Sequence, residues 1–342
     1  MSYRSMTSRC TAAALVAALA SLAPAPAGAV ITSQRASGSF ETQAGELSLS
    51  LGASVGRVEG MASELVFDEV LGRKVKLSEL TWDIKGVLMA GVKASAGLGG
   101  RVSANLAYWT ALSEGNGRMI DRDWMYPEEI LARIEPGSGN WTHESRHPDT
   151  TLDKGSMLDL NLTVRAWQSG PFSVSGIVGF KKDDWKWSSR GGTATYSVEG
   201  FRDTEFEFKD GLGRDLLVIE YEQEYTFPYI GLGAGWSGES FSVDGRLLAS
   251  TLVTASDTDN HVLRETIFKG DFSGGTVFGA GVGAAWRFSP RWIATAALDY
   301  QAISEITGDV AMRTAEGTVV FSDGGGIAQD SLLLSLGVGF AF

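Results

Sequence analysis

Apolar and polar residues alternate with a period of two along much of the chain after residue 29. In MLDLNLTVRA, Leu158 and Leu160 alternate with Asp159 and Asn161, and the C-terminal LLLSLGVGFAF continues this pattern to Phe342. Successive side chains of a strand point to opposite faces, so the pattern predicts strands with one apolar and one polar face. We predict ten strands, at 43–66, 75–93, 101–122, 155–168, 172–189, 216–233, 239–257, 262–288, 291–305 and 329–342.

The N-terminal segment 1–29 has the three parts of a signal peptide. Arg4 and Arg9 precede the apolar run TAAALVAALASLAPA, and the small residues AGA follow as a cleavage site. We therefore predict an exported chain with a single domain at 30–342. No later apolar run reaches the ~20 residues that a membrane-spanning helix needs, so we expect no such helix.

Export, many long alternating segments and a terminal phenylalanine strand together favour an outer-membrane barrel over a soluble periplasmic β protein. The predicted fold class is all-β, a ten-stranded antiparallel outer-membrane β-barrel with five extracellular loops. Several predicted strands exceed the ~9–11 residues that cross a bilayer, so the barrel should extend above the membrane. The longer links are predicted on the extracellular side, near 67–74, 123–154, 190–215, 258–261 and 306–328.

The amino-acid composition restricts the kinds of active site and partner that the chain can have. The only cysteine, Cys10, lies in the predicted signal peptide, which excludes thiol nucleophiles and thiolate metal sites from the mature chain. Without Arg4 and Arg9 the chain keeps 27 basic residues against 41 acidic ones, a formal charge of −14. This charge disfavours nucleic acid as a partner and favours cationic substrates, although solubility alone also explains it.

Asp121 and Asp123 stand two residues apart in RMIDRDWM. On a strand they leave the same face, so two carboxylates would lie side by side and repel one another. Such a pair raises the pKa of one member and allows the two groups to share a proton. Arg122, between them, would point to the opposite face and is not expected to be their counter-ion.

A second group with the same period occurs in SDTDNH, where Asp257, Asp259 and His261 follow one another at every second position. An aspartate beside a histidine orients the ring and raises its basicity, so the histidine could deprotonate water. His143 and His147, the other two histidines, also fall in a predicted extracellular loop. The alternative for SDTDNH is an acidic loop that happens to contain a histidine.

These two clusters, in this order, resemble the omptin family of outer-membrane proteases. The resemblance extends along the mature chain, through GRKVKLSELTW, MIDRDWM, NWTHESRHPDT, SRGGTATYSVEGFRD, FPYIGL and SDTDNH. It implies a ten-stranded barrel with an extracellular active-site groove. In omptins the motif matching IDRDW carries a catalytic aspartate pair, here Asp121 and Asp123. The motif matching DTDNH carries an Asp–His dyad, here Asp259 and His261.

The resemblance also implies a mechanism. A water held between Asp121 and His261 would attack the scissile carbonyl, with His261 as general base and Asp259 orienting it. Asp123 would support Asp121 and help to bind or protonate. Omptins are endopeptidases that use no metal and no covalent intermediate, so no cofactor is expected, apart from lipopolysaccharide as a possible activator.

The resemblance further implies cleavage after Arg or Lys. Two acids hold the basic side chain in omptins, and they match Glu64, through SELVF, and Asp257. His143 stands where omptins have an aspartate that favours a basic residue after the cut, which leaves that preference open. His147 would support the site from behind, although a turn at HPDT is an equal alternative.

The omptin contact with lipopolysaccharide is altered in GFKKDDWKW. Phe180 replaces a tyrosine, Lys182 and Asp184 replace a glutamate and an arginine, and Glu224 replaces another arginine. Lys181, Lys182 and Lys186 could bind phosphates in another way, or they could form a solvated charged rim.

Two other functions compete with a protease. A barrel of this fold could act as an adhesin or invasin with an idle protease site, and a small pore is a third option. Retention of all four catalytic positions favours the protease, because an adhesin does not need them. A ten-stranded barrel leaves little room for a channel once side chains fill it.

Overall fold

The computed structural model describes residues 47–342, so the predicted signal peptide and the start of the first predicted strand lie outside the described residues. One helical turn, α1 (Glu128–Leu131), and a 3₁₀ turn at Val262–Arg264 interrupt an otherwise β structure. The strands are β1 (Leu47–Val70), β2 (Arg73–Leu98), β3 (Val102–Ala111), β4 (Gly117–Asp123), β5 (His143–Ser169), β6 (Phe172–Arg190), β7 (Thr193–Tyr196), β8 (Thr204–Glu207), β9 (Leu217–Ser237), β10 (Phe241–His261), β11 (Thr266–Arg287), β12 (Trp292–Thr314) and β13 (Gly317–Ala341).

The strands close into a ring in which every neighbour is antiparallel. Consecutive neighbours run β3-β2-β1-β13-β12-β11-β10-β9-β6-β5, and β5 pairs with β3 to complete the circle. β4 continues β3 between β2 and β5, so the two share one position in a ten-membered ring, while β7 and β8 extend β5 as a side hairpin. The prediction of a ten-stranded antiparallel barrel is confirmed.

Several predicted boundaries are wrong because the strands continue beyond the predicted ends. The links at 67–74 and 306–328 reduce to two-residue turns, and the link at 258–261 belongs to β10. Leu71 and Gly72 both have positive φ, as the tight turn between β1 and β2 requires. The predicted strand 101–122 is divided between β3 and β4, the link 123–154 ends where β5 begins at His143, and the link 190–215 contains β7 and β8.

An apolar belt surrounds the end of the barrel that carries the short turns. Leu160 and Leu162 on β5 and Leu334 and Leu336 on β13 are exposed on its outer face, as alternation predicts. β1, β2, β5 and β13 contain 24, 26, 27 and 25 residues, more than twice what a bilayer crossing needs. The barrel therefore extends well beyond the belt.

No helix between residues 47 and 342 is long and apolar enough to cross a membrane.

Inside the belt the lumen is filled by a charged cluster. The Arg246 guanidinium lies 3.3 Å from Asp159 Oδ2 and 3.4 Å from Asp299 Oδ1. The Tyr229 hydroxyl donates a 2.6 Å hydrogen bond to Asp159 Oδ1. The opposite charges form ion pairs across the lumen, and their side chains occupy the space that a channel would need.

A layer of aromatic rings lies between this cluster and the end that carries the long loops. Trp82 stacks on Tyr221 with ring centroids 5.0 Å apart and an interplanar angle of 17°, and Trp187 lies 6.0 Å from both rings. All three side chains are fully buried. Rings of this size contribute large buried area, so the layer holds the upper barrel together.

We expect Trp82→Ala to lower the free energy of unfolding by about 3–5 kcal/mol, because it leaves a cavity between two packed rings. Urea titration of the barrel refolded into lipid vesicles would measure the change. Trp236→Ala, on the outer face, is the control and should lower the free energy of unfolding by less than half as much. Equal losses for the two variants would show that the aromatic layer has no special role.

Candidate active site

A groove of about 490 Å³ opens at the long-loop end of the barrel, where β1 and β13 separate. Their pairing ends at Val66 and Gly325, and the strands above these residues have no partner on that side within the described chain. This one groove is lined by every acid predicted to act in catalysis or substrate binding and by two of the three histidines, namely Glu64, Asp121, Asp123, Asp257, Asp259, His143 and His261. The third histidine, His147, is not among its lining residues.

The first pair of carboxylates comes from β4. In the register, Asp121 lies opposite Leu80 and Asp123 opposite Ser78, so both face inward from the same wall. Ser78 Oγ donates a 3.2 Å hydrogen bond to Asp121 Oδ1. Arg122 points outward and donates a 2.7 Å bond to Glu144, which confirms that it is not the counter-ion of the pair.

Burial and repulsion act on this pair together. Burial is the main cause that raises the pKa of Asp121 well above its usual range, and the charge of Asp123 adds to it. Burial also raises the pKa of Asp123, against the opposing effects of the Ser78 hydrogen bond and the His143 charge. The pair therefore tends to retain a proton.

The facing wall supplies an aspartate and a histidine from the end of β10. His261 Nε2 lies 2.5 Å from Asp259 Oδ2; Asp259 is almost fully buried, and the His261 side chain is 13% exposed. The ring of His261 also meets Phe268 edge-on at 5.4 Å. Because β10 continues to His261 instead of ending at 257, the period of two holds through the whole motif and keeps Asp257, Asp259 and His261 on one face.

Two further acids lie deeper in the groove. Asp257 accepts a 3.2 Å bond from the Tyr221 hydroxyl and a 2.9 Å bond from the Gly270 amide. Burial, followed by the charge of Asp259, raises its pKa to about 7. Glu64 is buried, its Oε2 has no hydrogen-bond partner among the described residues, and burial raises its pKa well above the usual range.

His143 and His147 occupy different places on β5. His143 pairs with Asp123 in the register, contacts Thr142 Oγ1 at 2.9 Å and lies in the groove. His147 is buried beside the site, where Nδ1 donates to the Gly191 carbonyl at 2.6 Å and Nε2 contacts Ser145 Oγ at 3.0 Å. The alternative of a turn at HPDT is wrong, because β5 runs straight through it.

Several groove residues were not predicted from the sequence. Ser78 lies inside the quoted motif GRKVKLSELTW, but only the pairing of β2 with β4 shows that it reaches an aspartate. Arg264 comes from the short turn after β10, and its charge opposes the raised pKa of both Asp121 and Asp123. An apolar wall was also missed, formed by Phe67, Phe268, Phe272, Val310, Met312 and Phe321.

Basic and acidic side chains pair on the outer face of β5, β6 and β9, where the sequence departs from the lipopolysaccharide contact of omptins. Lys182 lies 2.7 Å from Glu224, and Lys154 pairs with Asp184. Phe180 is exposed below them. The suggestion that Lys181 could bind phosphates is wrong, because its side chain points into the barrel and bonds to Gln301.

No group of three or more histidine, aspartate or glutamate side chains within residues 47–342 is arranged to hold a metal ion. The titratable side chains that line the groove are carboxylates, His143, His261, Tyr196 and Arg264.

Comparison with known proteins shows which family the chain resembles. The sequence model of the Omptin family matches residues 45–342. The chain is 28% identical to the outer membrane protease OmpP of Escherichia coli over 92% of its own length and 96% of the relative's. It is 26% identical to the plasminogen activator of Yersinia pestis over 86% and 90% of the two chains.

The fold is also that of a solved relative. The outer membrane protease OmpT from Escherichia coli superposes with a TM-score of 0.77 at 26% identity, over 86% of this chain and 97% of the other. The family match covers most of the chain, and the barrel is shared with the solved relative. The chain belongs to the omptin family of outer-membrane proteases.

Proposed function

We propose that this protease cleaves peptides and proteins after Arg or Lys with a water activated between its two walls. The observation that carries the proposal is that the Asp259–His261 pair and the buried Asp121 line one groove from opposite sides. An idle site would not need a carboxylate 2.5 Å from the histidine and a second acid pair facing it.

His261 is the general base. Its Nε2 is held by Asp259, which leaves Nδ1 as the nitrogen that takes a proton from water. The Asp259 carboxylate fixes the tautomer and stabilises the imidazolium that forms. The water oxygen attacks the scissile carbonyl carbon directly, so no serine, cysteine or metal takes part.

Asp121 and Asp123 provide the acid. Because burial raises the pKa of both, the pair keeps a proton at a pH where exposed aspartates have lost theirs. Asp121 positions the water, and the shared proton passes to the nitrogen of the leaving amine as the carbon–nitrogen bond breaks.

Glu64 and Asp257 receive the basic side chain before the cut. Glu64 Oε2 is buried without a hydrogen-bond partner in the described chain, and a carboxyl group in such a place ionises readily only when a cation meets it. A guanidinium can bridge two carboxylates with fork-shaped hydrogen bonds. Substrate binding would thereby offset the cost of charging this pair.

His143 faces the residue after the cut. Its ring meets Tyr196 edge-on at 4.7 Å, so the surroundings are aromatic as well as polar. Without a carboxylate on this side chain, we expect a weaker demand for a basic residue here than an aspartate would impose. On the outer face, Lys182 and Lys154 are already paired with acids, so we expect a weak dependence on lipopolysaccharide.

Cleavage of a fluorogenic peptide containing Arg-Arg tests the catalytic assignment, with and without added lipopolysaccharide. His261→Ala and Asp121→Asn should each lower kcat by at least about 100-fold, because each removes a proton-transfer group. Asp153→Asn, on the exposed outer face, is the matched control and should behave like the wild type. EDTA and serine-protease inhibitors should have no effect, and wild-type rates in His261→Ala would refute the mechanism.

The charge of Asp257 should make cation binding depend on pH. With a pKa near 7, Asp257 is mostly neutral at pH 6 and mostly charged at pH 8. The inhibition constant of an uncleaved arginine amide should therefore fall by about tenfold between these values. In Asp257→Asn the inhibition constant should be higher at pH 8 and should change less with pH than in the wild type. An unchanged pH dependence in this variant would remove Asp257 from the binding role.

His143→Asp should restore a preference for a basic residue after the cut. The ratio of kcat/KM for an Arg-Lys peptide to that for an Arg-Ser peptide should rise by roughly threefold to tenfold, the worth of one charge-assisted contact near a groove rim. A ratio equal to that of the wild type would place the residue after the cut elsewhere.

A further inference from the structure

The last turns of β13 form an open strand edge at the mouth of the groove. Below this point β13 pairs with β1 on one side and β12 on the other, but the pairing with β1 ends at Gly325. Above it, residues 317–323 are all exposed, and within the described chain their only strand partner is β12.

The backbone on this edge is available for pairing. Thr314 and Gly317 flank a two-residue turn and form the first pair of the hairpin. Hydrogen-bonded and non-hydrogen-bonded pairs alternate from there, so Thr318 and Val320 direct their N–H and C=O groups away from β12. An added strand could bond to both residues.

Native edges are usually protected by lysine, proline or a bulge, and an unprotected apolar edge invites another strand. Here Val319, Val320 and Phe321 are 50%, 61% and 44% exposed. The facing edge of β1 is less open, because the Glu69 amide already donates a 2.8 Å bond to the Asp68 carboxylate. The edge of β13 is therefore the better template.

This edge is continuous with the candidate active site. Phe321 and Gly324–Gly326 line the same groove as Asp121 and His261. A Cβ on Gly325 would come within 2.2 Å of the Val310 side chain, and one on Gly326 within 2.8 Å of the Phe67 side chain. The glycines therefore allow these side chains to pack directly against the backbone of β13.

We propose that a substrate segment remote from the scissile bond adds to residues 317–321 of β13 as an extra strand. This inference rests on the proposed peptidase function and extends it. Recognition would be of an extended polypeptide backbone, with β-branched or aromatic side chains favoured against Val319 and Phe321. The protease would then select unfolded or extended segments long enough to reach from the catalytic acids to this edge.

Two peptides with the same cleavage site test the proposal, one of four residues and one of twelve. Val320→Pro removes an outward N–H and places a ring on the edge, so kcat/KM for the long peptide should fall by about threefold to tenfold, the effect of one lost hydrogen bond. The short peptide should be cleaved as by the wild type. Glu69→Pro, on the facing edge, is the control and should change neither value.

Scanning the long peptide with single N-methyl groups tests the pairing in the wild-type protein, independently of how the proline variant folds. Losses of kcat/KM should recur at every second residue on one side of the cut, because an edge strand engages alternate amides. A flat scan, or an unaffected long peptide with Val320→Pro, overturns the proposal.

Pairing of two barrels through this edge would instead lower long-peptide cleavage as enzyme concentration rises, and that result also overturns it. If the wild type cleaves neither peptide, the peptidase function itself fails. If it cleaves both and the scan is flat, only the strand addition fails.

Discussion

The crowding of five carboxylates at one end of a closed barrel is the constraint on which the other features of this protein depend. A strand turns every second side chain inward, and closure of the ring brings β1, β4 and β10 to the same groove. Burial removes the water that would separate these charges. The acids must therefore hold protons, meet cations or pair with donors.

The surrounding structure supplies each of these solutions. Ser78 donates to Asp121, Tyr221 and the Gly270 amide donate to Asp257, and His261 meets Asp259. Glu64 keeps an oxygen without a partner in the described chain. In our proposal the substrate cation supplies the charge that lets these acids ionise.

The period of two was sufficient to predict which acids of each motif share a face, whereas Glu64 and His143 were placed only through the resemblance to omptins. Strand geometry alone places Asp121 and Asp123 on one face of their strand. It likewise places Asp257, Asp259 and His261 on one face of theirs. Strand ends were harder to predict, because above the apolar belt both faces of a strand meet water and VFDEVLGRKVKL loses its alternation. Cross-strand partners such as Ser78, and Arg264 from a short turn, depend on register and could not be found from one sequence.

The proposed mechanism requires that water attack the substrate directly, without a covalent intermediate. Cleavage of an Arg-Arg peptide in a high concentration of an amino-acid amide, followed by mass spectrometry of the products, distinguishes this mechanism from one with an acyl-enzyme. An acyl-enzyme would transfer its acyl group to the added amine. We expect hydrolysis products alone at every amine concentration. A peptide product that carries the added amide, and is absent with His261→Ala, would contradict it.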